Sequence, residues 1–552
     1  MPNAPTPVAI PVRPDFPVAW EAPEDAELFW VNDRMHFPDP VVPLTADIHP
    51  GSGFNIAAER YSLPVRWRSR RINTYLYQAM APVSTEPAQL AALGRESARR
   101  MGEVQARLGT LWTDQWLPEI RRLLQWWDDF NLDAATPAAF LAHLEEGLER
   151  YRRLWGLHFQ IVMPSHPAMG DFEDLYRELF ADASTADAYA LIECARHSNA
   201  VADLALWRLG REALQQPAVR EALEGVDPGQ VLPALRRHPE VADFLRRLDA
   251  FLCEYGQRSD HLDLAAASWL EDPLPVIAAL REHVRRPAWD LEAEYAARAQ
   301  ARQRRLAEAR ARLQGYPQPV IARFEALLGV AEQAAFLAEE HNFWIDQRGI
   351  YRIRRVLLAA GRRLAAAGVL EQAEDVFYLT LAEVLLGLHA PAATDHRTSV
   401  AERRAEMERF RVIAAPGALG TPPPPRPDAK PDRFFGGPPP QATEPGTLRG
   451  AAGSPGIARG RVRLVHTPAH GAALQPGEVL VAPTTLTTWT PLFARAAAVV
   501  TDTGGVLSHA AVVAREYGVP AVVGTGLATS ALRDGQMVEV DGDTGTVRML
   551  PG

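Results

Sequence analysis

A glycine pair followed closely by a serine and a histidine is the part of this sequence with the clearest chemical potential. Gly504 and Gly505 come after the apolar run 497–500, and Ser508 and His509 follow, ahead of a segment rich in alanine and valine. Adjacent glycines permit a tight turn with close backbone approach, and serine is a preferred residue at the start of a helix. The spacing predicts a buried strand, a turn, and a helix whose first turn contains His509.

At such a position His509 would combine a nucleophile with an anion-binding site. The N-terminus of a helix presents free N–H groups and the positive end of the helix dipole, and both favour a bound phosphoryl group. The dipole also disfavours the imidazolium, so the ring remains a nucleophile at neutral pH. A lone histidine more often only caps or packs at a helix start. Because a glycine pair precedes His509 and a small-residue helix follows it, we predict that it is a phosphoryl carrier.

The segment from about Arg449 to Arg548 resembles the mobile, swivelling phosphohistidine domain of the phosphoenolpyruvate-utilising enzymes. The resemblance implies that His509 carries the phosphoryl group and that Arg515 also belongs to the site, together with the glycine pair and Ser508. One position departs from the family pattern, because many members of central metabolism have threonine where this chain has Leu507. The departure favours antibiotics or phenols over pyruvate as acceptors. The matching stretches are Gly453–Gly456, Gly477–Val481, Gly504–Gly505, Ser508–Ala511, Val513–Glu516, Val519–Gly524 and Asp541–Gly542.

The preceding helical region is similar, more patchily, to the acceptor-binding domain of rifampicin phosphotransferase and of phenylphosphate synthase. Phenylphosphate synthase divides its modules between subunits, and this chain resembles the histidine-bearing subunit. The resemblance implies a dikinase-type phosphotransferase that passes the phosphoryl group to a hydroxyl of a small, phenolic acceptor. ATP and Mg²⁺ would then be bound by a separate ATP-grasp subunit. The matching stretches are Tyr255–Arg258, Asp263–Leu264, Trp269–Pro273, Asn342–Gln347, Gly361–Leu364 and Glu374–Leu379.

Five residues of the helical region are candidates for the acceptor side. A base must take the proton of the acceptor hydroxyl, and His261, His341 and Asp346 have suitable side chains. Arg258 or Arg354 would hold phosphoryl oxygens. For each of them, an ordinary helix-surface or ion-pair role is the alternative. The run 260–263, Asp-His-Leu-Asp, is interpreted as a polar helix end, and we predict no metal site in this chain.

The composition of the chain excludes several other classes of protein. Lys430 is the single lysine among 552 residues, so a lysine-containing phosphate loop or a pyridoxal Schiff base has no candidate residue. The net charge of −10 gives no basic excess for nucleic acid or an anionic membrane. The start of the chain does not have the pattern of a signal peptide, and we see no membrane span. With only two cysteines, the expected location is the cytoplasm.

The pattern along the chain predicts a multidomain protein with a large, mostly α-helical domain and a compact C-terminal α/β domain. The resemblance implies that the first is an acceptor-binding domain and the second a swivelling β/β/α phosphohistidine domain. Residues 1–84 are expected to be an irregular N-terminal part of the acceptor domain with a few short strands, and 85–414 its helical part. Residues 415–445 are proline-rich and predict an extended linker. Residues 446–552 form the phosphohistidine domain, with short strands separated by glycine and aspartate turns.

Two other functions are compatible with these residues. The chain would be a phosphocarrier or regulatory module if the helical domain bound a protein rather than a small acceptor. It would be a stand-alone enzyme if another phosphoryl donor loaded His509 without a partner. The near absence of lysine disfavours ATP as the donor in that case.

Overall fold

The computed structural model describes residues 9–49, 51–193, 197–259, 261–423, 433, 436, 444–466, 471, 473–485 and 489–550. In chain order, its first elements are β1 (Phe29–Asn32), α1 (Pro43–Asp47), α2 (Gly51–Arg60), β2 (Val65–Ile72), β3 (Tyr75–Pro82), α3 (Pro87–Gln105), α4 (Leu108–Leu111), α5 (Leu117–Asp128), α6 (Pro137–Leu179), α7 (Thr185–Ile192), α8 (Ser198–Gln215), α9 (Pro217–Gly225), α10 (Val231–Leu235) and α11 (Ala242–Tyr255). The following elements are α12 (Leu274–Arg285), α13 (Leu291–Arg312), α14 (Gln318–His341), α15 (Arg348–Ala366), α16 (Leu381–His389), α17 (Arg397–Arg411), β4 (Ala418–Gly420), β5 (Thr447–Arg449), β6 (Ala451–Ser454), β7 (Ile457–Leu464), β8 (Val479–Ala482), α18 (Thr490–Phe493), β9 (Ala498–Thr501), α19 (His509–Glu516), β10 (Ala521–Val523), α20 (Ala528–Ala531), β11 (Met537–Asp541) and β12 (Thr546–Met549).

The chain divides into two compact units, which are described separately. The first unit comprises Met1–Pro164, His261–Ala266 and Trp344–Lys430. The second unit comprises Ser165–Asp260, Ala267–Phe343 and Pro431–Gly552. Within the described residues, every helix is too short or too polar to cross a membrane.

The first unit contains a four-stranded sheet in the order β2-β3-β1-β4, in which all neighbours are antiparallel. Large apolar side chains cover one face of this sheet, and Phe16, Trp30, Tyr77 and Leu419 are completely or almost completely buried there. Such aromatic residues favour strands because their side chains pack well on a pleated surface. The helices α1 to α5, α15, α16 and α17 and the first part of α6 also belong to this unit.

The second unit combines helices with a larger sheet. Its helices α8, α9, α11 and α12 pack around an apolar core in which Phe244, Leu248, Ile277 and Leu280 are buried. Amphipathic helices of this kind are stabilised mainly by burying their apolar stripe.

The larger sheet has eight strands in the order β5-β12-β11-β7-β8-β9-β10-β6. The pairs β7–β8, β8–β9 and β9–β10 are parallel, and the other neighbours are antiparallel. Every residue of β8 and β9 is buried, as expected for parallel strands that are covered on both faces. The helix α19 is the crossover between β9 and β10, which places its first residue at the carboxyl end of the parallel strands.

The predicted fold class, a large helical region with a C-terminal sheet domain, is confirmed. The β-rich runs of the sequence at 461–465, 478–482, 497–502, 521–524, 537–540 and 546–549 each correspond to a strand, with bounds that agree to within about four residues. The short strands β5 and β6 were not predicted, because they contain glycine and alanine and have no alternating pattern.

Residues 1–84, expected to be irregular with a few short strands, contribute three strands of the first sheet. One segment differs from its predicted character. Ala418–Gly420, at the start of the predicted linker, form β4 and pair with β1. Pairing with a partner almost 400 residues earlier gives no local sequence signal. Most of the predicted proline-rich linker, with Lys430, lies outside the described residues, and the predicted domain boundaries stay a prediction.

The glycines of two helices provide a test of the packing. A Cβ atom on Gly361, in α15, would lie 2.0 Å from the Ala373 carbonyl oxygen. We expect Gly361→Ala to destabilise the protein by about 1–3 kcal/mol, because rigid backbone must move, although alanine favours a helix. A Cβ atom on Gly329, in α14, meets nothing within 4 Å. The matched variant Gly329→Ala should therefore be stabilised by roughly 0.5–1 kcal/mol. Differential scanning calorimetry measures the unfolding temperature of both variants. Equal shifts of that temperature for the two variants would contradict the described packing.

Candidate functional site

His509 is the first residue of α19, and a glycine-built turn connects it to β9. Gly504 has a φ of 107°, a conformation that side chains rarely adopt. The Ser508 N–H donates to the Gly505 carbonyl oxygen at 3.0 Å and closes the turn. A Cβ atom on Gly524, which follows β10, would lie 2.5 Å from the Gly504 carbonyl oxygen. The turn therefore requires glycine at 504 for its conformation and at 524 for its close packing.

Ser508 occupies the N-cap position of α19, as the sequence predicts, but its side chain does not make the capping hydrogen bond. Its backbone is extended, with a φ of −66° and a ψ of 156°. Its hydroxyl is buried and has no hydrogen-bond partner within the described part of the chain. A buried, unsatisfied hydroxyl is energetically costly. The orientation leaves a hydroxyl at the same helix end as His509.

Thr485, which follows β8, orients the imidazole ring. Its Oγ1 lies 3.1 Å from Nδ1 of His509, and the Phe493 ring contacts the imidazole edge-on at a centroid distance of 6.3 Å. Thr485 and His509 both lie beyond the carboxyl ends of adjacent parallel strands, where α/β proteins commonly place their functional groups. Because Nδ1 is engaged with the hydroxyl, the geometry directs chemistry at this ring to Nε2.

The electrostatic surroundings keep the imidazole neutral. Burial lowers the pKa of His509, and the carboxylates of Glu339, in α14, and Glu516, in α19, act in the opposite direction without reversing the shift. The neutrality expected from the sequence thus has the predicted direction. Its main cause is desolvation rather than the helix dipole.

His197, directly before α8, lies between these two carboxylates. Its Nδ1 is 3.9 Å from Oε2 of Glu339, and its Nε2 is 3.9 Å from Oε1 of Glu516. Burial lowers the pKa of His197, but hydrogen bonding with Glu516 and the charges of Glu339 and Glu516 outweigh burial and raise the pKa to about 9. Nδ1 also lies 3.3 Å from the Ala200 N–H. The neutral ring therefore caps α8, and the charged ring pairs with the carboxylates.

Asp203 and Arg258 extend this buried charged cluster. Burial raises the pKa of Asp203 to about 6, against the opposing charges of Arg258 and His197. The Arg258 guanidinium lies 5.0 Å from the ring centroid of Trp269 and 6.0 Å from that of Phe343. Arg258, an acceptor-side candidate, thus acts on the same cluster that faces His509.

Arg433 fixes the loop that precedes His509. Its carbonyl oxygen accepts a 2.7 Å hydrogen bond from the Leu507 N–H. Its guanidinium pairs with Glu173 at 2.7 Å and Asp174 at 2.8 Å, near the end of α6. Sequence reasoning placed Arg433 in the linker, and an arginine among prolines gives no signal of such a role.

Arg515 contributes to the packing of α19. Its Nη1 donates to the Gly453 carbonyl oxygen at 2.6 Å, and its guanidinium lies 5.3 Å from the ring centroid of Tyr189. Burial lowers the pKa of Arg515. These contacts join α19 to β6 and α7, so the observed role of Arg515 is to position the helix.

The acceptor-side candidates are distributed over both units. Arg258 and His341 belong to the second unit, and His341 Nδ1 bonds the Leu337 carbonyl oxygen of its own helix at 2.8 Å. His261, Asp346 and Arg354 belong to the first unit. Arg354 is buried and lies 4.9 Å from the ring centroid of Phe377.

Asp346 has a histidine partner that sequence reasoning missed. Its Oδ1 lies 2.7 Å from Nδ1 of His158 in the first unit. The His158 ring contacts Trp155 and Phe159, each at a centroid distance of 4.7 Å. The two residues of the pair are 188 positions apart, so no local spacing reveals them. An imidazole nitrogen and a carboxylate oxygen are also donor types that divalent metals accept.

The run interpreted as a polar helix end is instead a loop. Asp260 lies outside the described residues, and α11 already ends at Tyr255. Asp263 accepts hydrogen bonds from Val42 N–H at 3.1 Å and Thr45 Oγ1 at 2.9 Å. The helix-end interpretation was wrong, because this carboxylate holds the start of α1 instead of ending a helix of its own.

Two family models match the chain. The model of the PEP-utilising enzyme mobile domain matches residues 474–545, which include His509. The model of the rifampicin phosphotransferase fourth domain matches residues 158–339. These matches confirm the resemblance to the PEP-utilising mobile domain and to rifampicin phosphotransferase.

Curated relatives extend the similarity over most of the chain. Chondramide synthase CmdD from Chondromyces crocatus is 39% identical over 98% of this chain and 14% of its own length. An uncharacterised phosphotransferase, YvkC from Bacillus subtilis, is 27% identical over 95% of this chain and 62% of its own. A rifampicin phosphotransferase from Streptomyces sviceus is 29% identical over 86% of this chain and 51% of its own. The chain thus spans only part of the length of each of these relatives.

The raised pKa of His197 predicts a pH-dependent stability. The stabilisation from charged His197 should be complete below pH 6.5 and should be lost as the pH rises through about 9. Relative to the native chain, His197→Gln should cost on the order of 2–3 kcal/mol at pH 6 and much less at pH 10. Thermal unfolding of both proteins between these pH values checks this. The exposed His238, paired with Glu240, supplies the control variant His238→Gln, and a pH-independent cost of His197→Gln would contradict the ion pairing.

Proposed function

Because the chain carries the mobile domain of PEP-utilising enzymes, we propose that it is a phosphotransferase that carries a phosphoryl group on Nε2 of His509. The observation that supports this most directly is the hydrogen bond between Thr485 Oγ1 and His509 Nδ1, at 3.1 Å. It fixes the ring and leaves the opposite nitrogen for the nucleophilic attack. The lowered pKa of His509 favours the neutral ring, and when its Nδ1–H donates to Thr485 Oγ1 the free lone pair is on Nε2.

The proposed reaction has two half-reactions. In the first, Nε2 forms a bond to the β-phosphorus of ATP, the bond from that phosphorus to the oxygen shared with the α-phosphorus breaks, and AMP leaves. Water then takes the γ-phosphoryl as inorganic phosphate, which leaves one phosphoryl group on His509. In the second, an acceptor oxygen attacks the phosphorus, the N–P bond breaks, and the acceptor proton passes to a base. Covalent catalysis divides one difficult transfer into two steps at separate sites.

The acceptor is proposed to be a phenol or another small aromatic alcohol. Leu507, in place of the threonine of many central-metabolism members, supports this, as does the relative named rifampicin phosphotransferase. In the first unit, the aromatic rings of Trp155 and Phe159 contact His158, which pairs with Asp346. We favour the Asp346–His158 pair as the acceptor-side base. The Asp346 carboxylate would orient the His158 imidazole, and the imidazole would take the proton.

ATP and Mg²⁺ are proposed to bind to a separate ATP-grasp subunit. The chain has a single lysine, Lys430, and its positive charge comes otherwise from arginine. A nucleotide site usually needs a lysine that contacts the phosphates. The separate subunit would load His509, and this chain would deliver the phosphoryl group to the acceptor.

Label transfer tests the whole proposal. The chain is mixed with a candidate ATP-grasp protein, with [β-³²P]ATP and with phenol, 4-cresol or rifampicin. We expect acid-labile label on the native chain and its transfer to one acceptor, and neither with His509→Gln. Label on the acceptor at an undiminished rate with His509→Gln would contradict the proposal.

The variant Asp346→Asn separates the two half-reactions in the same assay. It should accumulate label on His509 at the native rate but pass it to the acceptor at least about tenfold more slowly. The acidic residue Asp395, exposed and paired with Arg397, supplies the control variant Asp395→Asn, which should behave like the native chain. Transfer to the acceptor at the native rate by Asp346→Asn would show that Asp346 does not belong to the acceptor site.

Thr485→Val tests how the ring is oriented. Valine keeps the shape of the side chain but removes the hydroxyl that bonds Nδ1. We expect the rate of His509 labelling to fall roughly 10- to 100-fold, because the correct tautomer and ring orientation are no longer held. Thr544→Val, at an exposed turn beside β12, is the matched control. Labelling at the native rate in Thr485→Val would show that another group orients the ring.

A further inference from the structure

Negative charge acts on His509 from two positions in the second unit. Two carboxylates, those of Glu339 and Glu516, act on His509. Glu516 is in the same helix as His509 and moves with it whenever the mobile domain moves. Glu339 is in α14, outside the mobile domain. Of these two charges, therefore, only that of Glu339 acts on His509 in the docked arrangement and no longer acts when the domain has moved away.

Glu339 is held as a charged group in this position. Burial raises its pKa, but the positive charge of His197, the interaction with His509 and the hydrogen bond from Asn199 more than compensate, and the net pKa is lowered. Asn199 Nδ2 donates to Glu339 Oε2 at 3.2 Å. A carboxylate that remains ionised although it is mostly buried exerts a strong local field.

The docked arrangement fits an unphosphorylated His509. A neutral imidazole carries no charge for the Glu339 carboxylate to repel. His197 lies between Glu339 and Glu516, at 3.9 Å from each carboxylate. A phosphoryl group would add about 1.5–2 negative charges to the ring. Because Glu339 already acts on this ring in a poorly solvated environment, its carboxylate would repel those charges.

We propose that Glu339 and His197 form a docking surface for the mobile domain that accepts His509 in its unphosphorylated state and rejects it once it is phosphorylated. This inference rests on the proposed function. The domain then occupies the observed position after the phosphoryl group has left, with the His197–Glu516 contact and the Arg433 contacts to Glu173 and Leu507 holding it. Once His509 has been reloaded, repulsion by Glu339 keeps it from returning to this position.

A spin-label distance measurement tests this without the ATP-grasp partner. One label is placed on the exposed Cys253 and the other on Asp543→Cys, at an exposed turn of the sheet domain, in a Cys194→Ser background. Buffer with EDTA keeps out divalent cations that would bridge Glu339 and the phosphoryl group. Potassium phosphoramidate phosphorylates His509 directly, because its P–N bond breaks, ammonia leaves and a new N–P bond forms.

We expect one narrow distance for the unphosphorylated chain and for His509→Gln. Phosphoramidate treatment, or His509→Glu, should lower the docked fraction by on the order of tenfold or more and give a longer or broader distribution. Adding Glu339→Gln should restore the narrow distance in both cases. The control Glu332→Gln, in the same helix and paired with Arg302, should not restore it.

The native distance in His509→Glu, or equal rescue by Glu332→Gln and Glu339→Gln, would overturn the inference. Circular dichroism confirms that each variant is folded before its distances are compared. The two proposals fail separately in these experiments. If ATP and the ATP-grasp protein never label His509 while His509→Glu still undocks, the proposed function fails and the docking surface remains. If His509 is labelled but stays docked, the docking surface fails and the proposed function remains.

Discussion

The hydrogen bond between Thr485 and Nδ1 of His509 is the contact on which the site depends. It links the loops after two adjacent parallel strands, so its geometry is set by the registry of β8 and β9. The buried strands are rigid, and the glycine turn at Gly504 brings the helix start back over their ends. A nucleophilic ring nitrogen must point in one direction. This arrangement holds the ring through Nδ1 and leaves Nε2 for the reaction.

The second constraint is the balance of charge around that ring. Burial alone lowers the pKa of His509, and the nearby carboxylates limit the shift without protonating the ring. His197 is charged because it lies between two carboxylates, and it thereby also joins the helical part to α19. The burial of His509, the charges around it and the contact between α19 and the helical part therefore depend on one another. A change in the charge of His509 alters the interaction that positions the whole sheet domain.

The acceptor side was only partly predictable. The candidates Arg258, His261, His341, Asp346 and Arg354 were chosen by residue type and by resemblance, and the structure assigns them to two different units. Asp346 pairs with a mostly buried imidazole within its own unit, that of His158. Residue types in a helical region repeat too often to mark a site, whereas the pairing of two distant helices selects one of them.

The sequence by itself determined the helical region, the positions of six C-terminal strands along the chain and the strand–turn–helix segment that contains His509. These features are local: apolar runs, glycine pairs and helix starts act over a few residues, so their signals survive without tertiary contacts. Only the tertiary structure decided which groups surround the histidine. Thr485 is 24 residues away, Glu339 and His197 lie on other helices, and Arg433 comes from a segment that reads as a linker. Their roles depend on burial and on distances between elements, and no local pattern of residues encodes either quantity.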